Sequence, residues 1–199
     1  MPSFKEDRLS ASKWAYNLLQ SDFVVLDTET TGLGPDAEIC EIAITNKHGR
    51  NLFSSLVKPS RPIPAQASAI HGIRNEMVDH SPVWAEVFPF VLGLLRGQTV
   101  VIYNASYDMG VMYYCCVAAC RPWISGDEFV NSFSVQCAML PYSAYCSDWN
   151  GYHGNYRWQK LPAGDHSALG DCRATTKVIK LMAQTWAEHI KGAKELCEF

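Results

Sequence analysis

The chain has 199 residues, of which 48% are hydrophobic, and this composition suits one domain with a sizeable core. Its 17 Lys and Arg against 20 Asp and Glu give a formal net charge of −3. The chain therefore has no overall positive charge that would attract nucleic acid. No apolar run approaches the ~18 residues of a membrane span and no signal peptide is visible, so we expect no membrane partner, cytoplasmic localisation and reduced cysteines.

The first third of the chain predicts one helix followed by three strands. Apolar residues recur at helical spacing around Trp14 and Leu18, which predicts an outer helix from about Glu6 to Gln20. The stretches "DFVVLDTE", "EICEIAIT" and "NLFSSLVKP" are then rich in β-branched and apolar residues. Their short connections indicate an antiparallel meander.

The middle of the chain predicts an irregular segment, a helix, a strand and a second helix. "RPIPAQASAIHGI" contains too much proline and too many small residues for regular structure. Ser81 and Pro82 form a typical N-cap and first turn for a helix that Gly97 would close, with a kink at Pro89. "TVVIYN" predicts a short buried strand, and another helix begins near Ser106.

The last part of the chain is predicted to be mostly irregular until its final helix. The irregular region runs from Arg121 to Ala163, with at least one further strand around Phe129 to Phe133, and the final helix runs from about Ser167 to His189. Strands that alternate with helices after a meander indicate a single α/β domain with a mixed sheet.

Three cysteines in "MYYCCVAAC" have helical spacing and could in principle bind a metal ion: Cys115, Cys116 and Cys120. No second pair of ligands lies near them in the sequence. We therefore favour the interpretation that they are small buried apolar residues.

Two carboxylates stand at the end of the first predicted strand. Strand side chains alternate with period two, so Asp27 and Glu29 in "VVLDTETTG" project from one face. Their like charges require a cation or a proton between them. Since "FVVL" leads this strand into the core, a merely solvated strand end is the weaker explanation.

Further acids occur where two helices begin. "YNASYD" places Asp108 in a first turn, and "HSALGD" places Asp171 near the start of the last helix with His166 ahead of it. For each acid alone, stabilisation of the helix dipole is a sufficient explanation. Together the four acids and the histidine are the ligand types of a two-metal site for phosphoryl transfer, and their oxygen-rich chemistry suits two Mg²⁺ ions, with Mn²⁺ as a substitute.

These motifs, in this order, resemble the DEDDh-type 3′–5′ exonucleases of the DnaQ-like family, which have an RNase H-like fold. "DTETTGLGPDAEICEIAI" is similar to the first motif, "AIHGIRNEMV" and "YNASYD" to the second, and "HSALGDCRAT" to the third. The resemblance implies an α/β domain with a mixed central sheet flanked by helices. We expect a helical extension at 1–21, an exonuclease core at 22–190 and a short tail at 191–199.

The resemblance also implies roles for individual residues. The expected catalytic residues are four metal-binding acids and a general base: Asp27, Glu29, Asp108 and Asp171, with His166 as the base. The expected substrate contacts are Thr30, Leu33, His71 and Asn104. Three of these have ordinary alternatives: packing for Leu33, a loop-anchoring hydrogen bond for His71 and a turn or cap for Asn104.

A second histidine competes for the role of base. His153 lies in the glycine-rich, aromatic stretch "NGYHGNYRW", but no aspartate follows it at the motif distance. The neighbouring residues Tyr152, Tyr156, Arg157 and Trp158 could contact nucleic acid by stacking, although aromatic side chains are more often core.

The expected activity is metal-dependent release of nucleoside 5′-monophosphates from the 3′ end of single-stranded DNA. Trimming of RNA ends is the enzymatic alternative, because recognition of the 2′-OH depends on pocket shape. An inactive binding module of the same fold is the alternative from another class, although all five catalytic positions are filled. Association with a polymerase is possible but less favoured than a free-standing nuclease, and the oligomeric state is not predicted.

Overall fold

The computed structural model describes residues 3–119 and 126–197. Cys120 and the first part of the predicted irregular region therefore lie outside the described residues. In chain order the helices and strands are α1 (Phe4–Leu19), β1 (Val24–Thr30), β2 (Ile39–Asn46), β3 (Asn51–Leu56), α2 (Ala65–His71), α3 (Asn75–Val78), α4 (Trp84–Leu95), β4 (Thr99–Ile102), α5 (Ala105–Ala119), α6 (Gly126–Asn131), β5 (Ser134–Cys137), α7 (Met139–Cys146), β6 (Trp149–Asn150), β7 (Asn155–Tyr156) and α8 (Ala168–Cys197).

The central sheet has five strands in the order β3-β2-β1-β4-β5. The first three strands form the predicted antiparallel meander, whereas β4 and β5 run parallel to β1. This mixed sheet flanked by helices confirms the predicted fold class. In α/β folds, sites commonly form at the carboxyl ends of such strands.

Each face of the sheet packs against its own set of helices. One apolar cluster joins the sheet to α4, α5 and α6, and its fully buried residues include Phe88 and Phe129. The other cluster joins the sheet to α1, α7 and α8. Cys115 and Cys116 lie in the first cluster, as the packing interpretation predicts.

Several predicted elements differ from those observed before residue 100. "RPIPAQASAIHGI" was expected to be irregular, but it contains α2, which follows Pro64 and is capped by Gly72 in a left-handed conformation (φ 76°). Helix α4 begins at Trp84, later than the predicted Ser81-Pro82 start, because the Pro82 carbonyl accepts the Lys58 N–H (2.9 Å) and keeps that backbone extended.

The prediction for residues 121–163 was also wrong in its described part. The apolar segment Phe129–Phe133 was expected to be a strand, but it holds the end of α6, and the strand β5 comes directly after it. Helix α7 and the two-stranded hairpin of β6 and β7 follow where irregular structure was expected.

The tail predicted at 191–199 is helical as far as Cys197, because α8 continues to that residue. None of the helices in the described ranges is long and apolar enough to cross a membrane.

Candidate active site

A cleft of about 280 Å³ opens where the end of β1 meets the first turns of α5 and α8. The structure brings all five sequence-predicted catalytic positions to this cleft, together with Asn104 and four other residues. The lining consists of Asp27, Thr28, Glu29, Tyr103, Asn104, Tyr107, Asp108, Leu161, His166 and Asp171. We refer to it as the acidic cleft.

The two carboxylates of β1 are held in an unfavourable environment for negative charge. Burial, followed by the charges of Asp108, Asp171, Glu29 and Glu41, raises the pKa of Asp27 well above its usual range. Burial, followed by the charges of Asp171 and Glu41, raises the pKa of Glu29 to about 8. A bound cation would offset both effects, so the electrostatics of the site favour a positively charged ligand.

Asp108 is the most buried of the acids and is oriented by β1. The Thr28 hydroxyl (2.7 Å) and the Thr28 N–H (3.2 Å) both donate to its Oδ1. Burial raises the pKa of Asp108 to about 6, and the Thr28 hydroxyl opposes that rise. Because these two donors occupy one carboxylate oxygen, they determine which side of Asp108 faces the cleft.

The loop before α8 is shaped around two aspartates. The Asp165 N–H donates to Asp171 Oδ1 (2.9 Å), and Asp165 Oδ1 accepts the Ser167 N–H (3.1 Å) and hydroxyl (2.7 Å). A Cβ at Gly170 would collide with the Asp165 carboxylate. His166 has a φ of 57°, in the left-handed region that few residues other than glycine adopt. This loop therefore presents His166 at the cleft through contacts that tolerate little change.

Glu41 on β2 is an acid that sequence reasoning did not single out. Its Oε2 accepts the N–H of Ala168, the first residue of α8, at 2.8 Å. A carboxylate at that helix terminus is stabilised by the unpaired N–H groups there. The sequence signal was the first motif itself, because Glu41 lies inside "DAEICEIAI", but its partner is 127 residues away in the chain.

Three of the predicted substrate-binding residues lie around a second, more apolar cleft of about 480 Å³ next to the first: Thr30, Leu33 and His71. Leu33 is 88% exposed, so the packing interpretation of this side chain is wrong. The His71 Nδ1 accepts the Ile73 N–H (3.0 Å), which leaves Nε2 to donate to the Thr30 carbonyl (3.3 Å). These hydrogen bonds are the anchoring contacts considered as the alternative role of His71.

Tyr107 connects the two clefts and was not identified from the sequence. Its hydroxyl lies 2.6 Å from Thr30 Oγ1 and donates to the Gly32 carbonyl at 2.5 Å. Its neighbour Asn104 accepts the Tyr107 N–H through its carbonyl (2.9 Å) immediately before α5, which is the capping position considered for it. These hydrogen bonds therefore hold residues 30–32, just before Leu33, against α5, the helix that carries Asp108.

Three ligand atoms in the acidic cleft are close enough to hold a metal ion. One atom each of Glu29, His166 and Asp171 lies within 4.8 Å of the other two. Carboxylate oxygens with one imidazole nitrogen suit Mg²⁺ or Mn²⁺ better than a thiolate site would. The residues present therefore fit a divalent cation, and the raised pKa values of the neighbouring acids support this fit.

We expect the metal-free protein to become less stable as the pH rises from about 5 to 8. The folded chain holds the Glu29 proton up to a pH of about 8, whereas the ordinary pKa is 4.5, so the folded state binds more protons across this interval and stability falls with rising pH. Because Glu29 is partly exposed, we expect about 1–2 kcal/mol, or a Tm lower by roughly 2–8 °C. Thermal melts in EDTA at the two pH values, with Glu29→Gln as control, measure this change. A Tm that is flat or rises would contradict it.

The mixed sheet and the acidic cleft together define a class of protein. A mixed sheet with an acidic cleft at the end of its first strand is the arrangement of a nuclease with an RNase H-like fold. Residues 24–179 match the family model RNase_T, described as exonuclease. The chain therefore belongs to this exonuclease family, in its DnaQ-like group.

Individual relatives agree with this assignment. The chain is 38% identical over 185 residues to an uncharacterised exonuclease of Escherichia phage 186, an alignment that covers 87% of this chain and 92% of the phage protein. It is 37% identical over 102 residues to the DNA polymerase III epsilon subunit of Salmonella typhimurium, covering 46% of this chain and 42% of that subunit.

The fold is also similar to that of a solved nuclease. The structure of E. coli exonuclease I in complex with a dT13 oligonucleotide superposes with a TM-score of 0.66 at 17% identity. The match covers 86% of this chain and 43% of exonuclease I, so this chain spans less than half of that protein. At this identity the likeness establishes the fold alone.

Proposed function

We propose that this protein is a DEDDh-type 3′–5′ exonuclease that removes nucleoside 5′-monophosphates from the 3′ end of single-stranded DNA. The observation that carries the proposal is the acidic cleft, where four carboxylates and His166 surround one space next to the exposed side chain of Leu33. A terminal nucleotide in the second cleft would have its phosphodiester beside the acids.

Four acids would hold two Mg²⁺ ions: Asp27, Glu29, Asp108 and Asp171. Without cations these acids would repel an anionic phosphodiester. The cations, when bound, supply positive charge that attracts the substrate and stabilises the leaving oxygen. Thr28 orients Asp108 and the Asp165 N–H orients Asp171, so the chain itself holds the acids ready for the ions.

His166 is the general base in this proposal. It is exposed at the mouth of the acidic cleft, where an attacking water has access to its imidazole, and a histidine can accept a proton near neutral pH. His153 is at the tip of the hairpin and is not among the residues that line the cleft. We therefore assign proton removal to His166.

Single-stranded DNA is the preferred substrate for two reasons. Exonuclease I, which shares this fold, was solved with a dT13 oligonucleotide, and the epsilon relative is a DNA polymerase subunit. The exposed Leu33 provides an apolar surface on which an unpaired terminal base can pack. RNA ends remain the alternative substrate, and matched deoxy and ribo oligonucleotides distinguish the two. Because the epsilon relative is a polymerase subunit, association with a polymerase stays an alternative role.

The test is a nuclease assay with a 5′-labelled single strand. We expect a descending ladder of labelled products with Mg²⁺ or Mn²⁺, and no products in EDTA, because the acids need a cation before substrate can approach. A circular single strand is the control and should resist digestion. Internal cuts in the circle, or undiminished hydrolysis by fully chelated protein, would overturn the proposal.

A further inference from the structure

The hairpin formed by β6 and β7 comes just before the rim of the acidic cleft in the chain and has no role in the chemistry described above. Its exit strand continues into the rim of the cleft, where the Tyr103 hydroxyl donates to the Gln159 carbonyl (2.9 Å) and Leu161 lines the cleft wall. Trp158 directly precedes this rim. The chain therefore leads directly from the hairpin to the wall of the acidic cleft.

Two aromatic residues of the hairpin are used to fasten it to the rest of the protein. Trp149 and Tyr156 pack edge to face across the two strands, with ring centroids 5.1 Å apart. The Tyr156 hydroxyl donates to Asp7 on α1 (2.6 Å), and its ring contacts Phe4 on the same helix. These contacts explain why Trp149 and Tyr156 are aromatic.

The other two aromatic residues are not used in this way. Tyr152 is 91% exposed and Trp158 is 69% exposed, and burying such large apolar rings is ordinarily favourable. The Tyr152 ring meets the His153 ring edge to face at 4.8 Å. Asn150 Oδ1 accepts the N–H groups of Tyr152 (3.1 Å) and His153 (3.3 Å), so the tip is an ordered turn. The Tyr152 ring is thus presented on an ordered turn.

The charges around these rings suit a polyanion. Lys160 is exposed and pairs with no acid among the described residues, and Arg157 is exposed with one long contact to Asp148 (3.5 Å). Single-stranded nucleic acid is bound elsewhere by aromatic rings that stack with bases beside basic side chains. This combination favours a nucleic acid strand over an apolar peptide as the occupant.

We infer that Trp158, nearer the cleft, and Tyr152, at the hairpin tip, are two stacking contacts for the single-stranded DNA upstream of the scissile bond. The inference rests on the proposed function and adds to it a second contact region on the substrate. Trp158 is three residues from Leu161, so it lies within about 10 Å of the cleft wall along the chain. Stacked bases are spaced by about 3.4 Å, so Trp158 lies no more than roughly three nucleotides upstream of the cleft wall.

The test compares two substrates of different length in Trp158→Ala and Tyr152→Ala variants. A dinucleotide ends before the hairpin, whereas a strand of about ten nucleotides crosses it. We expect KM for the longer strand to rise about tenfold in each variant, with kcat unchanged and both constants for the dinucleotide unchanged. Phe90→Ala on α4, which removes a ring that is 68% exposed, is the matched control and should leave all values unchanged.

Each result decides the inference. Unchanged KM values for the longer strand, or equal losses on both substrates, would overturn it, because a stacking surface affects only substrates that reach it. Trp158→Phe should restore most of the lost affinity. If the wild-type protein hydrolyses neither substrate, the proposed function fails, and anisotropy of a labelled strand of about ten nucleotides in Ca²⁺ still tests the hairpin by comparing wild-type and variant affinities.

Discussion

The Asp27→Asn variant is expected to lose about 10²–10³-fold in turnover while remaining folded. Asp27 lies in the middle of the acids, and burial and four neighbouring carboxylates act on it at once. The substitution keeps the shape of the side chain but removes the charge that would hold the cations. It therefore removes metal binding and turnover together.

The same substitution is expected to stabilise the metal-free protein. The raised pKa of Asp27 means that its ionised form is unfavourable in the folded state, and asparagine removes that cost. Thermal melts at pH 8 should show a higher Tm in EDTA than for the wild type and a smaller increase on adding Mg²⁺. A simple folding defect would instead lower the Tm of the variant both in EDTA and in Mg²⁺.

Asp22→Asn is the matched control for this prediction. Asp22 is exposed just before β1 and pairs with Lys47 (2.9 Å), outside the acidic cleft. It should retain wild-type turnover and the full Mg²⁺ effect on Tm. If Asp27→Asn kept more than about a tenth of the wild-type rate, Asp27 would not be a metal ligand in the proposed mechanism.

The His166→Ala variant is expected to lose about 10²–10⁴-fold in single-turnover rate, the range for loss of a general base. The four acids stay in place, so most metal and oligonucleotide affinity should remain. Residual activity should rise with pH, because hydroxide can replace the missing base. Single-turnover rates beside calorimetric titration with Mn²⁺ measure both properties.

The structure adds a competing role that this experiment decides. His166 lies near Glu29 and Asp171 in the group that could hold a metal ion. If His166 were a metal ligand, Mn²⁺ affinity would fall along with the rate. His166→Asn removes the imidazole but keeps the backbone in place, because asparagine tolerates the left-handed conformation at φ 57°. It therefore separates loss of the side chain from a change in the loop. If His166→Ala retained wild-type rates at neutral pH, His153→Ala would be the next variant.

The positions around the cleft were predictable because each motif is local. Asp27 and Glu29 follow from the two-residue period of a buried strand, and Asp108 and Asp171 from their places in first helical turns. The structure places all four at one cleft with His166. Their catalytic roles stay predictions that the variants above test.

The wrong secondary-structure predictions have different causes. A short apolar segment such as Phe129–Phe133 fits a helix or a strand equally well in sequence. The strand β5 has polar and exposed positions and pairs in parallel with β4, more than thirty residues earlier in the chain. Helix α2 was missed because its prolines precede it, where they are compatible with a helix start.

The sequence by itself determined that a buried strand ends in paired acids, that further acids begin two helices, and that the order of these motifs is that of a DnaQ-like exonuclease. Only the tertiary structure decided which groups orient and perturb those acids. Thr28 reaches Asp108 across 80 residues of chain, and Glu41 reaches the start of α8 across 127. A pKa of about 8 for Glu29 likewise depends on burial and on acids from other elements. Periodicity and turn signals act between neighbours in the chain, whereas hydrogen bonds and charges act through space, so this second set of properties appears only once the chain is folded.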